Sequence, residues 1–236
     1  MIKPLKVTRT MILRDGIFSV VVPILVFAIA HDGTMTRIDG LALFLLFIPY
    51  LTNVFLQEKN VAATELAEER RDVEIELDLI GFGFGKIKAG WFSFLLGSSM
   101  LLGGTYLFSY QLTEIVNQFH INALFIGLTL GAFVPSIPNI AAAYKATQKG
   151  LTEVAVSETI GSNIFTLLVT LGIISMLSPL NINPQWVSFD LPAMVIISFL
   201  LMFFATTSSV ISRKEGTILF GSYIGILLFQ TFLALR

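Results

Sequence analysis

Thr36-Arg37-Ile38-Asp39-Gly40 and Ser212-Arg213-Lys214-Glu215-Gly216 are the stretches whose reading decides the fold. Each follows an apolar span with an acid near its start, Asp15 in one and Asp190 in the other. The separation from acid to arginine is 22 residues in the first and 23 in the second. Each precedes a further apolar span with a tyrosine, Tyr50 or Tyr223. Spans one and two therefore read as a copy of spans six and seven. The shift is five spans, an odd number, so the copies are oppositely oriented. Inverted repeats mark secondary transporters, whose substrate sites lie near the midplane between the repeats. The alternative is chance similarity at two interfacial turns, where Arg, Asp and Gly are common.

Composition supports the membrane reading. The chain has 236 residues, 55% hydrophobic and 13% charged. Soluble domains carry about 25% charged residues. Mean hydropathy is +0.81. So few charges cannot cover a water-facing surface. Cysteine is absent, which excludes disulfides and thiolate chemistry, and the two histidines, His31 and His120, lie in separate connections. A net charge of −1 offers no basic field for nucleic acid.

A membrane helix needs about 20 mostly apolar residues. Seven candidates lie near 10–30, 39–57, 90–112, 122–146, 157–177, 189–211 and 216–235. The first also reads as a secretory leader, with Ala28-Ile29-Ala30 as its cleavage site. Thirteen of the fifteen lysines and arginines fall on one side of this arrangement; Arg37 and Arg236 fall on the other. The positive-inside rule then places the N-terminus in the cytoplasm and the C-terminus outside. If the repeat unit has five spans, the first unit retains only its final pair. Three helices ahead of residue 1 are then expected to come from elsewhere.

Span four holds Gly127 to Asn139, with Pro135 and Pro138 in mid-span. Each proline removes a backbone donor, so this reading predicts a helix break with freed carbonyls. Thr129, Phe133 and Ser136 share one helical face. A kinked packing helix without a ligand is the bland alternative. Span five begins Glu158-Thr159-Ile160-Gly161-Ser162-Asn163-Ile164-Phe165-Thr166. Ser162 and Thr166 are four apart, with Glu158 one turn earlier. Hydroxyls and carbonyls suit a hard cation. A carboxylate beside an apolar run is a functional candidate, or else a helix N-terminal acid stabilised by the macrodipole.

Residues 122–172 resemble the second alpha repeat of the sodium/calcium exchanger (calcium/cation antiporter) superfamily. The resemblance extends in register over the whole chain, including the Arg-x-acid-Gly turns, the Trp91 span and the acidic loop. It implies the C-terminal seven of ten helices. Pro135, Gly161, Ser162 and Asn163 match the family motifs. Ala132 and Phe133 stand where the family has threonine and serine, Ser136 where it has the cation-binding glutamate, and Thr166 where it has asparagine or aspartate. Calcium takes six to eight oxygens, usually including carboxylates, so this half-site departs from a calcium cage.

The segment 57–90 carries eight of the sixteen acids, and acid alternates with apolar residue from Asp72 to Leu79. It reads as a solvated cytoplasmic segment or a regulatory cation site.

The sequence thus predicts an all-α polytopic membrane protein of about seven helices with a partial inverted-repeat antiporter architecture. Residues 1–57 form the end of the first repeat, 58–89 an acidic loop and 90–236 the five-helix second repeat. The expected function is antiport of a cation such as calcium, sodium or a proton in a prokaryotic cell membrane. No cofactor is expected, and the lining metal, if any, is left open. The expected path involves Thr129, Ser136, Glu158, Ser162, Asn163 and Thr166, shaped by Pro135 and Pro138. The partners expected are the lipid bilayer and a second membrane chain or second copy, with no nucleic acid. The rival readings are a non-transporting exchanger-like subunit and a fragmentary reading frame. Nothing in the sequence assembles an enzyme's nucleophile and base.

The charge asymmetry yields a direct test. Single cysteines at Ala67 and Gln185, probed in intact cells with an impermeant thiol reagent, should label at 185 and not at 67. The reverse pattern would overturn the orientation.

Overall fold

The structure, a computed structural model, describes residues 4–8, 11–58 and 91–234. The acidic segment expected at 58–89 lies outside the described residues except for Glu58. The helices are α1 Ile17–Ala30, α2 Arg37–Glu58, α3 Trp91–Phe119, α4 Ala123–Ile126, α5 Ala132–Lys149, α6 Thr152–Phe165, α7 Leu171–Leu177, α8 Leu191–Ser208 and α9 Arg213–Ala234. Four wider π turns interrupt them: Ile12–Gly16 before α1, Gly127–Gly131 between α4 and α5, Thr166–Thr170 between α6 and α7, and Trp186–Asp190 before α8. Among the described residues the result is seven helical rods, where the sequence predicts seven spans. Five are long and apolar enough to cross a membrane, and Ile17–Ala30 is a shorter apolar helix. The rods outrun the apolar windows, because polar ends such as Thr152-Glu153 and Thr113-Glu114 continue the hydrogen-bond ladder after hydropathy has fallen.

The chain divides into two units. One comprises the described residues to Glu58 with Ala143–Ser222; the other comprises residues 91–142 and 223–234.

The first unit holds the core and the repeat. Thr36 caps α2: its N–H and its hydroxyl donate to Asp39 Oδ2 at 2.8 and 2.7 Å, and the Asp39 N–H returns to Thr36 Oγ1 at 3.3 Å. Ser212 does the same for α9. Its N–H donates to Glu215 Oε2 at 2.6 Å, and the Glu215 N–H returns to Ser212 Oγ at 3.3 Å. Each is a reciprocal capping box that satisfies two orphan donors of a helix N-terminus. The two turns are thus the same device.

The correspondence continues around both turns. Gly33 and Ser209 both take positive φ, +83° and +54°. The Ile182 N–H donates to the Gly33 carbonyl at 2.8 Å, and the Val7 N–H to the Ser209 carbonyl at 2.9 Å. Two short antiparallel pairings complete the pattern. β1 (Leu5–Lys6) pairs with β4 (Val210–Ile211), and β2 (Thr34–Met35) pairs with β3 (Leu180–Asn181). Exchanging the two helix pairs turns one pairing into the other, as a two-fold axis requires. α1 packs along α8 across that relation, with Val22, Val26 and Ala30 buried. Residues 12–30 are therefore part of the packed core of the first unit.

The tightest crossing lies between α2 and α7. A Cβ on Gly40 would sit 2.6 Å from the Gly172 carbonyl oxygen and 2.7 Å from the Met176 nitrogen; one on Gly172 would sit 3.0 Å from the Gly40 oxygen. Only a pair of hydrogens fits there. Leu43, Ile164 and Leu168 close over the crossing's flanks, each at most 1% exposed.

In the second unit, α3 packs on α4 and the Gly127–Gly131 turn, with Leu112 3.6 Å from the Cβ position of Gly131. None of the residues of α3 is buried.

Alanine at Gly40 meets fixed backbone, so Gly40→Ala should destabilise by about 1–3 kcal/mol. Gly104 in α3 has nothing within 4 Å of its Cβ position, so Gly104→Ala should gain up to about 1 kcal/mol from helix propensity. Thermal unfolding in detergent reads both. An unchanged midpoint for Gly40→Ala would remove the crossing from the account.

Candidate functional site

The motif helices owe their irregularity to identifiable residues. Pro135 and Pro138 have no N–H to give to the carbonyls of Gly131 and Val134. The sequence reading placed a helix break at these prolines, and the structure corrects it: α5 runs unbroken from Ala132 to Lys149 through both. The departure from α geometry comes one turn earlier, in the π turn Gly127–Gly131. Gly131, whose carbonyl the Pro135 ring would crowd, closes that wider turn, so the strain is relieved upstream and the helix axis continues.

The candidate hydroxyls are held in one manner. Thr129 Oγ1 donates to the Phe125 carbonyl at 2.6 Å, Ser136 Oγ to the Ala132 carbonyl at 2.8 Å and Thr166 Oγ1 to the Ser162 carbonyl at 2.8 Å. Each hydrogen is committed to a carbonyl four residues back. Each oxygen keeps lone pairs that can accept.

Ser136 and Thr129 belong to the second unit, and Glu158, Ser162, Asn163 and Thr166 to the first. Within the first unit, Ala155, Val156, Ile160 and Ile164 form the buried face of α6. Glu158, Ser162 and Asn163 are half-buried, while Thr166 is exposed at the start of the following π turn. Ser162 and Thr166 thus project from the side of the rod turned away from its core. Phe133, also part of the family-motif region, is 48% exposed. Among the described residues no three of His, Cys, Asp or Glu converge to hold a metal. Oxygen ligation of a cation would rest on hydroxyls and carbonyls with single carboxylates.

One feature was marked in the sequence only as a repeat signature. Asp15 is 1% exposed and is the one charged side chain buried among the described residues. The Tyr50 hydroxyl donates to its Oδ1 at 3.2 Å. Tyr50 is itself buried, with its ring against Phe18 at 5.0 Å and Phe47 at 5.9 Å. Its hydroxyl lies 4.0 Å from the Cβ position of Gly161, in the Gly-Ser-Asn stretch of α6. The available signal was an acid near the start of an apolar span, beside Arg14. What the sequence did not show was which helix the carboxylate would face.

Residues 89–232 match the family model described as sodium/calcium exchanger protein. The chain is 26% identical over 235 residues to the inner membrane protein YrbG of Escherichia coli (strain K12), covering 95% of this chain and 68% of that protein. It is 33% identical over 102 residues to the sodium/calcium exchanger MaX1 of Methanosarcina acetivorans, covering 43% of this chain and 29% of that protein. It superposes on a structure of the sodium-calcium exchanger NCX_Mj, soaked with sodium and strontium, with a TM-score of 0.61. Sequence identity there is 26%, and the match covers 95% of this chain and 67% of that one. The chain thus spans about two thirds of the length of the relatives it matches end to end.

Proposed function

The chain belongs to the sodium/calcium exchanger protein family, a family of membrane cation transporters, and from that premise we propose that it forms one side of a cation antiporter's path. The path runs past Thr129 and Ser136 on the Pro135–Pro138 helix and past Glu158, Ser162, Asn163 and Thr166 on the next. The observation that carries the reading is the family match over residues 89–232, within which Thr129, Ser136 and Thr166 hold their hydroxyls against the carbonyls four residues back. Calcium, sodium or a proton is the cargo that such oxygens and a family of this kind suit. No cofactor takes part.

A second membrane chain, or a second copy of this one, supplies the three helices that complete the first repeat. In this arrangement the chain lies in a prokaryotic cell membrane with its N-terminus in the cytoplasm and its C-terminus outside. Ser136 and Phe133 favour a second reading. With serine in place of an acid and a phenyl ring in place of a hydroxyl, the same fold serves as a non-transporting exchanger-like subunit.

Two experiments separate these readings. The chain reconstituted alone in vesicles should show weak or no sodium-driven calcium uptake; robust uptake would overturn the need for a partner. Restoring the family's oxygens with Phe133→Ser and Ser136→Glu together should raise calcium affinity about tenfold or more, since a carboxylate joins a site of neutral oxygens. Calorimetry on the chain with any partner present measures it. If that variant gains nothing and Ser162→Ala leaves transport untouched, the subunit reading replaces the transport one.

A further inference from the structure

We propose that the end of the first unit where β1 pairs with β4 is a contact site for the phosphate of an anionic phospholipid. The inference goes beyond the transport reading and does not depend on it. Its basis is positive charge that folding gathers from three distant segments at one end of a set of membrane helices.

The pairing sets Lys6 opposite Val210, three residues before Arg213 and four before Lys214. The Lys6 N–H donates to Thr152 Oγ1 at 3.2 Å, which fixes the strand on the first residue of α6. The turn between α5 and α6 closes at the same place. Gly150 takes a φ of +86°, and the Leu151 N–H donates to the Ala146 carbonyl at 2.9 Å. Lys145 and Lys149, in the last two turns of α5, therefore stand at this end too. All five cations are exposed. Among the described residues Lys6, Lys149 and Lys214 form no ion pair. Of the acids here, Glu153 is exposed, and Glu215 is half-buried with its carboxylate accepting the Ser212 N–H at 2.6 Å. Farther along their helices, Asp15 is buried and Glu158 half-buried. The 14 residues of α1 put the other end of the unit about 21 Å away. Among the described residues its exposed charges are Asp32 and Arg37, beside half-buried Asp39 and Asp190.

Orienting a chain in the membrane needs positive residues near its span ends and nothing more. Here residues 6, 145–149 and 213–214 are joined through backbone hydrogen bonds into one cluster. Lysine stems lie along apolar surface while their ammonium groups reach the headgroup layer. A phosphodiester accepts charge-assisted hydrogen bonds from such groups. Each cation near an anionic bilayer surface strengthens the attraction about fivefold.

The test uses the absence of cysteine. The full chain carries one fluorophore at Gln148→Cys, or at Asn181→Cys on the opposite end. Quenching by brominated phosphatidylglycerol and by brominated phosphatidylcholine is compared, with gel filtration and circular dichroism to establish folding. At position 148 the glycerol lipid should bind about tenfold or more tightly than the choline lipid in about 0.1 M sodium chloride. Lys6→Gln should weaken the glycerol lipid about fivefold and leave the choline lipid unchanged. Lys6→Gln with Lys149→Gln and Lys214→Gln should abolish the preference, and the three matching arginine variants should keep it. Arg37→Gln should change nothing at position 148. Equal binding of the two lipids by the parent, an equal preference at position 181, or a folded triple variant that keeps its preference would each overturn the proposal. Where the triple variant does not fold, Lys6→Gln and salt decide: a preference that survives about 1 M sodium chloride is not electrostatic and overturns it. Displacement of the lipid by inorganic phosphate at constant ionic strength assigns the cluster to a soluble anion and overturns it as well. A preference that emerges only in Asp72→Asn with Glu74→Gln, Glu76→Gln and Asp78→Asn shows that the chain's own acidic segment occupies the cluster, and the lipid assignment falls.

Discussion

In lipid an apolar helix gains nothing by exchanging one apolar surrounding for another, so helices associate through close packing and polar contacts. The crossing of α2 and α7 at Gly40 and Gly172 is where this chain achieves that packing most completely, backbone against backbone. Much else follows from it. α2 carries Tyr50 ten residues beyond Gly40, and α7 continues the rod that carries Ser162 and Thr166. Fixing Gly40 on Gly172 therefore brings Tyr50 alongside Gly161. The same contact lets Leu43 and Leu168 close into the core with no exposed surface.

The repeat supplies the second layer of order. Two capping boxes, two positive-φ residues and two exchanged strand pairings relate the helix pair at 12–58 to the pair at 186–234. The pairings tie each turn of one copy to the start of the other, so neither copy is held by its own residues alone. Yet the copies differ where charge is concerned. Asp15 is buried to 1% exposure and Asp190 is half-buried. A symmetric scaffold holds an asymmetric distribution of charge, and α6 lies beside the buried member.

The hydroxyls of the motif region illustrate how local chemistry and function meet. A threonine or serine in a helix commonly gives its hydrogen to the carbonyl one turn back. That habit costs little, orients the oxygen outward, and turns an ordinary packing residue into an oxygen donor when the helix lines a path. Thr129, Ser136 and Thr166 all follow it. Their oxygens are neutral, and the carboxylate beside them in the proposed path is that of Glu158.

Much of this was legible in the residues themselves. Seven apolar runs with few charges can only be membrane helices, because unpaired backbone groups are not tolerated in hydrocarbon. The Thr36–Gly40 and Ser212–Gly216 turns announced the repeat, because helix N-termini have a strict local chemistry that is confined to four residues. The candidate oxygens of α6 were equally plain, since their spacing is a property of one helix. What sequence misjudged was Pro135 and Pro138. Local rules predict a break there, but the helix runs through both prolines and departs from α geometry one turn earlier, at Gly127–Gly131. Asp15 was visible, but its meaning was not. Whether a carboxylate in an apolar span meets lipid, water or a tyrosine against the motif helix depends on residues 35 and 146 positions away. Such contacts are set by how helices cross, and crossing is decided by the sum of packing over many side chains. Sequence determined the class, the repeat and the oxygens. Only the tertiary structure decided that the Asp15 carboxylate is buried against Tyr50.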